Sequence, residues 1–216
     1  MATIKKGGTR KIRTNFNESE LQSGSWRGGY SDTQPSFELS DNTLDALQWV
    51  REFLDTIIKI RSTARSPQHN HNVGSYPSSM HYWDGSKTIR AIDFTIPDED
   101  LFNVLYWDIR NKGIIYKTFR ERFGLSIGMY NTFFHIDDGK GVGVSPSSQH
   151  TDKYGKFGLW DTTTEKKNLN ESLYNSIQAR KPKLFISTKT RKKIIVAVLI
   201  ILVIALIFFM YKTFKK

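Results

Sequence analysis

Residues 78–94 read SSMHYWDGSKTIRAIDF, and the fold turns on the second half of that stretch. IRAIDFTI, 89–96, alternates as a β-strand does, with Ile92, Phe94 and Ile96 on one face and Ala91, Asp93 and Thr95 on the other. An acid with small neighbours on that second face is approachable by a ligand, and His81 stands twelve positions before it. FFHIDD, 133–138, reads as another strand, with Phe134 and Ile136 on one side and Phe133, His135 and Asp137 on the other. Each strand thus offers one good metal ligand on a face away from the main core. With His81 the set is two imidazoles and one carboxylate, which suits a catalytic zinc with a fourth position left for water. On periodicity alone a plainer reading stays open: a partly exposed histidine, and an aspartate bound to backbone amides.

Working outward, SFELSDNTLDALQWVREFLDTIIKI predicts a helix capped by Ser40 or Asp41, with Leu44, Leu47, Leu54, Ile57 and Ile58 at helical spacing. RSTARSPQHNHNVGSYPSSMH reads as a loop. PDEDLFNVLYWDIRNKG reads as a helix with Pro97 in its first turn and Gly113 as its stop. GLSIGMYNTFFHID supplies one or two further strands. The fold class is therefore α+β, a small antiparallel sheet with flanking helices. Residues 1–35, rich in Gly, Ser, Asn and Lys without a sustained period, read as a flexible basic arm. The folded domain is expected over 36–161, followed by a basic stalk, 162–193, with a short helix around NESLYNSIQAR.

The net charge of +11 invites a nucleic-acid reading, but its distribution argues against one. Residues 36–161 hold 14 Lys and Arg against 16 Asp and Glu, so the basicity belongs to the ends of the chain and no specific nucleic-acid partner is expected. With no cysteine, disulfides and thiolate metal sites are excluded. IIVAVLIILVIALIFFMY, 194–211, is an uncharged run that as a helix covers about 27 Å, enough for a hydrocarbon core. Lys189, Arg191, Lys192 and Lys193 precede it, and a basic tail, 212–216, follows. This predicts one C-terminal transmembrane helix, with the membrane as a partner. The N-terminus lacks the apolar core of a secretory signal, and the charge bias places the N-terminal domain on the cytoplasmic side.

An ordered series of short motifs resembles the zinc D-Ala-D-Ala carboxypeptidases and phage L-Ala-D-Glu endopeptidases, which share a hedgehog-like zinc peptidase fold. The series is Arg65-Ser66-Pro67, Asn72-Val73-Gly74, Ser79-Met80-His81, Ala91-Ile92-Asp93 and His135-Ile136-Asp137. SFELSDNTL is similar to the opening of such domains and KFGLW to their closing Trp, so the resemblance covers roughly 36–160. It implies Zn2+ held by His81, Asp93 and His135, and hydrolysis of amide bonds in peptidoglycan stem peptides. It also implies that Arg65 stabilises an oxyanion or grips a substrate carboxylate. Tyr130 and Trp160 are candidates to line the cleft, core packing being the plainer reading of each.

Two departures stand out. The His81–Asp93 spacing of twelve exceeds the family's usual seven, and Asp84-Gly85 allows the extra residues to form a hairpin tip. Thr132 occupies the position, three before the last histidine, where many relatives carry a catalytic Glu or Asp. Asp137 is then the expected substitute base, its carboxylate reaching the attacking water. A rival reading is a catalytically inactive binding or structural membrane protein that retains the fold. Peptidoglycan lies outside the cell whereas the charge bias points inward, a tension relieved if the enzyme rides on the internal membrane of a phage virion. His69 and His71 are expected on an exposed loop, and His150 with Asp161 only superficially repeats the motif.

Overall fold

The computed structural model of the chain describes residues 1–22, 36–75, 79–85, 88–138 and 159–180. Its centre is a five-stranded sheet of β5 (Lys59–Ser62), β6 (Ala91–Thr95), β7 (Ser126–Met129), β8 (Phe134–Asp137) and β9 (Leu159–Asp161). The spatial order is β5-β6-β8-β7-β9, with every neighbouring pair antiparallel except β7 and β9. The α+β class holds, with one parallel pair added to the expected antiparallel sheet.

The apolar face forms as the alternation predicts. Ile92, Phe94, Phe134, Ile136, Ile127 and Met129 are all buried. Phe134 meets Phe94 at 5.7 Å and Phe102 of α3 (Glu99–Arg110) at 4.6 Å between ring centroids, so this helix covers that face. Helix α3 is capped by Asp98, whose side chain accepts from Leu101 N, which leaves Pro97 one residue outside the helix. Gly113 likewise opens the next short helix, α4 (Ile114–Lys117), rather than only stopping α3. A π-helical turn, Thr118–Arg122, follows and sets Phe119 against Trp49 of α1 (Asp41–Leu54). Ser40 caps α1, and Asp55 in the left-handed region (φ 52°) ends it. Ile57 therefore lies beyond the helix and is 61% exposed, whereas Ile58 is buried.

The expected flexible arm does not hold for residues 1–22. β1 (Ala2–Lys5) pairs antiparallel with β4 (Ser36–Leu39), and β2 (Lys11–Arg13) with β3 (Phe16–Asn17). Ile4, Phe16 and Leu21 are fully buried, and Arg13 bonds Asp41 and Asp45 of α1 at 2.7 and 2.8 Å. Within residues 1–22 the strands are two to four residues long with at most one buried side chain each, too short to show a period, so the sequence hides them.

The boundary near 161 also moves. The compact unit runs Met1–Pro182. Trp107 Nε1 donates to Lys167 O (3.1 Å), Gln178 Nε2 to Asp108 (2.6 Å) and Arg180 to Phe53 O (2.8 Å), while Ile177 is buried. The expected short helix is α5 (Glu171–Gln178), but it is docked by polar anchors and one apolar residue, a pattern that composition reads as stalk. Among the described residues no helix is long and apolar enough to cross a membrane. The run 194–211 lies outside the described residues.

Candidate metal centre

The face of β6 opposite the aromatic core carries Asp93, and strand pairing sets it directly against His135 of β8. The third residue arrives from a loop that several hydrogen bonds fix. Ser66 caps a short helix, α2 (Pro67–Asn72), with Pro67 at its first position, and Gly74 at φ +68° closes it. Arg65-Ser66-Pro67 and Asn72-Val73-Gly74 are thus the two ends of one helical turn. His69 and His71 sit on α2 rather than on a loop, and neither joins the site.

Arg65 N donates to His81 O (2.7 Å) and Trp83 N to Arg65 O (3.0 Å), which clamps the backbone on both sides of the histidine. Ser79 accepts from His81 N through its hydroxyl and from Tyr82 N through its carbonyl, so it shapes the turn as an orienting residue. The elongated segment 82–90 is anchored on both sides of residues 86–87. Trp83 and Ile89 are buried, and Ile89 bridges Leu39, because two large apolar side chains there find places in the core. Residues 86–87 lie outside the described residues.

His81, Asp93 and His135 each bring one ligand atom to a common point. His81 Nε2 lies 3.1 Å from Asp93 Oδ1, His135 Nδ1 lies 2.7 Å from the same oxygen, and the two nitrogens are 3.2 Å apart. Tetrahedral zinc with its usual bonds holds donor atoms about 3.3 Å apart, so opening the trio by a few tenths of an ångström admits the ion. The atoms facing away are engaged as well. His81 Nδ1 is 2.7 Å from Thr63 O; a carbonyl only accepts, so the proton is on Nδ1 and neutral His81 presents a lone pair at Nε2. His135 Nε2 bonds Asp137 Oδ2 (3.0 Å), and Arg65 Nη2 bonds Asp93 Oδ2 (2.5 Å). Ligands whose distal atoms are held in this way are oriented for a metal.

Electrostatics follow from this crowding. Burial lowers the pKa of His81, with Asp93 opposing and Arg65 and His135 reinforcing the shift. Burial also works against charge on His135, but its hydrogen bonds to Asp137 and Asp93 and their negative charges outweigh it and raise the pKa to about 9. Burial of Asp93 raises its pKa, but the two histidines more than compensate and hold it well below the usual carboxylate range.

Asp137 lies on the far nitrogen of His135, the position of an acid that orients the ligand rather than of a base beside the attacking water. Arg65 uses Nε on Ser62 (3.0 Å) and Nη2 on Asp93, while Nη1 makes no hydrogen bond among the described residues. Thr132 is exposed in the turn between β7 and β8. Tyr130 stacks on Phe133 at 4.2 Å, just beyond the end of β7. Asp161 is in β9, bound by Tyr106 and Arg110, and His150 lies outside the described residues. Sequence reasoning passes over Thr63, which is fully buried; its carbonyl accepts the hydrogen bond from His81 Nδ1 while its hydroxyl donates to Leu21 O (2.6 Å). No periodicity or motif distinguishes this threonine from its neighbours.

Two imidazoles and a carboxylate converging on one face of a small α+β sheet suit a mononuclear zinc site with a position left for water. The family model of Peptidase M15 matches residues 13–137, and the chain belongs to that family. It is a family of zinc-dependent metallopeptidases. No curated protein and no solved structure matches the chain.

Proposed function

We propose that this chain is a membrane-anchored zinc peptidase that hydrolyses amide bonds in peptidoglycan stem peptides. The observation that carries the reading is the convergence of His81 Nε2, Asp93 Oδ1 and His135 Nδ1, each on a residue whose opposite atom is already hydrogen-bonded. Zinc held there would supply a Lewis acid for the scissile carbonyl and an acidified water at neutral pH. Around it, Thr63 O and Asp137 Oδ2 keep the distal protons on the two imidazoles, and Arg65 aims Asp93. Arg65 Nη1 is then the guanidinium donor left for a substrate oxygen.

The run 194–211 with its basic flanks supports a single C-terminal anchor. The inward charge bias, set against an outward substrate, supports carriage on the internal membrane of a phage virion. A second reading, a catalytically inactive binding protein with this fold, is favoured by Thr132 in place of an acid and by Asp137 on the far nitrogen. Incubating the zinc-loaded chain with purified peptidoglycan separates the two. Released peptides that disappear in His81→Ala and Asp93→Ala support the peptidase, and stoichiometric zinc without any cleavage overturns it. Recovery of the protein only from host membranes, never from particles, removes the virion assignment.

A further inference from the structure

His81 takes its orientation from a residue that belongs to no motif. Its Nδ1 donates to Thr63 O at 2.7 Å. Strand β5 ends at Ser62, whose partner across the sheet is Asp93, so the ladder stops one residue short of Thr63. The side chain of Thr63 holds it instead. It is fully buried, and its hydroxyl donates to Leu21 O at 2.6 Å. One residue thus joins two segments, its hydroxyl bonded to the N-terminal one and its carbonyl to the metal centre.

Leu21 is itself held in place. It closes the 3-10 turn Glu18–Leu21 and is fully buried, and the next residue, Gln22, donates to Lys5 O (2.7 Å) and accepts from Gly7 N (3.3 Å). Further back, Asn15 is tied to α1: its N donates to Gln48 Oε1 (3.0 Å) and its O accepts from Arg51 Nη1 (2.7 Å). With β1 paired to β4, residues 1–22 form a strap fixed at both ends and in the middle. A buried threonine hydroxyl needs an acceptor in any fold, and bonding Leu21 O would be reason enough for this one. That plainer role would leave His81 unaffected, so a measurement made on the metal separates the two.

We propose that Thr63 is a positioning residue of the metal centre and that, through Leu21 O, the strap of residues 1–22 sets zinc affinity. The proposal rests on the zinc reading of the site but not on turnover. A Thr63 carbonyl that drifts no longer fixes the proton and ring plane of His81, and a ligand deprived of its outer partner holds metal less tightly. The test is chelator competition for Zn2+ at fixed pH, together with the visible spectrum of the Co2+-substituted full chain, each below the melting temperature. Thr63→Val is expected to bind zinc about tenfold more weakly and to shift the Co2+ bands, and Thr63→Ser to recover both. Gly113→Ala, which crowds Asp108 at the α3–α4 junction, serves as a destabilised control and is expected to change neither. Unaltered zinc affinity in Thr63→Val, a loss that Thr63→Ser does not recover, or an equal loss in Gly113→Ala overturns the proposal and reduces Thr63 to packing. Failure of the unaltered chain to take up zinc would instead sink the metal reading on which the proposal rests.

Discussion

Raising the pH should tighten zinc binding, because a proton occupies the ion's place in the metal-free protein. That proton belongs to His135, whose Nδ1 lies 2.7 Å from Asp93 Oδ1 and 3.2 Å from His81 Nε2. Asp93 and Asp137 raise the His135 pKa from 6.5 to about 9 against the opposing effect of burial. Zinc can ligate only the deprotonated ring nitrogen, so across that interval each ion bound releases one proton. Affinity should then climb about tenfold per pH unit, or about 100-fold between pH 6.5 and 8.5. Competition against a chromophoric chelator, corrected for the chelator's own protonation, reads this directly. Metal-free stability should run the other way. The folded-state pKa is raised, so the stabilisation is complete below about pH 6.5 and disappears as pH rises through about 9. The melting temperature of the metal-free protein should fall over that range while the zinc-loaded protein holds steady. A zinc affinity that is flat from pH 6.5 to 8.5 would refute the reasoning, since it would mean that no proton leaves His135 on binding.

Asp137→Asn keeps an acceptor near His135 Nε2 but removes its charge; zinc affinity should drop about ten- to hundredfold, and its rise with pH should end at a lower pH. Full zinc retention with loss of turnover would instead identify Asp137 as the proton acceptor for the attacking water. Thr63→Val strips the donor from Leu21 O inside the fold and should cost about 1–3 kcal/mol in urea unfolding, with Thr63→Ser recovering most of it; an unchanged midpoint contradicts the coupling of residues 1–22 to the metal loop. Gly113→Ala would place a Cβ 2.3 Å from Asp108 Oδ2, a buried oxygen that accepts from Ile115 N and Gln178. Calorimetric melting should show a loss of about 1–3 kcal/mol, and a neutral result would mean that the α3–α4 junction yields more easily than its contacts indicate.

The strand alternation around Asp93 and His135 was legible because a half-buried strand records its two faces in every second residue, and both recorded faces formed as written. Helix α1 was legible for the same reason, with Ser40 one of its two candidate caps, although Ile57 and Ile58 copied the helical spacing from outside the helix. Asp93 and His135 stood out as polar residues on strand faces away from the main core, His81 was added from a loop, and the three together were what the resemblance implied as a ligand set. Their partners could not. Thr63 carries no mark in the sequence, and nothing in His135-Ile136-Asp137 tells which ring nitrogen the aspartate will meet.

Sequence alone determined the alternating strands around Asp93 and His135, the helices α1 and α3, the ligand residue types and the apolar run 194–211, since periodicity and composition are properties of neighbouring positions. Tertiary structure decided that residues 1–22 and 162–180 belong to the folded unit, that Asp137 orients His135 from its far side, and that Arg65 holds Asp93. Those outcomes depend on contacts between segments far apart in the chain. A two-residue strand, a single buried isoleucine or one carbonyl acceptor acquires its meaning only when its distant partner is in place.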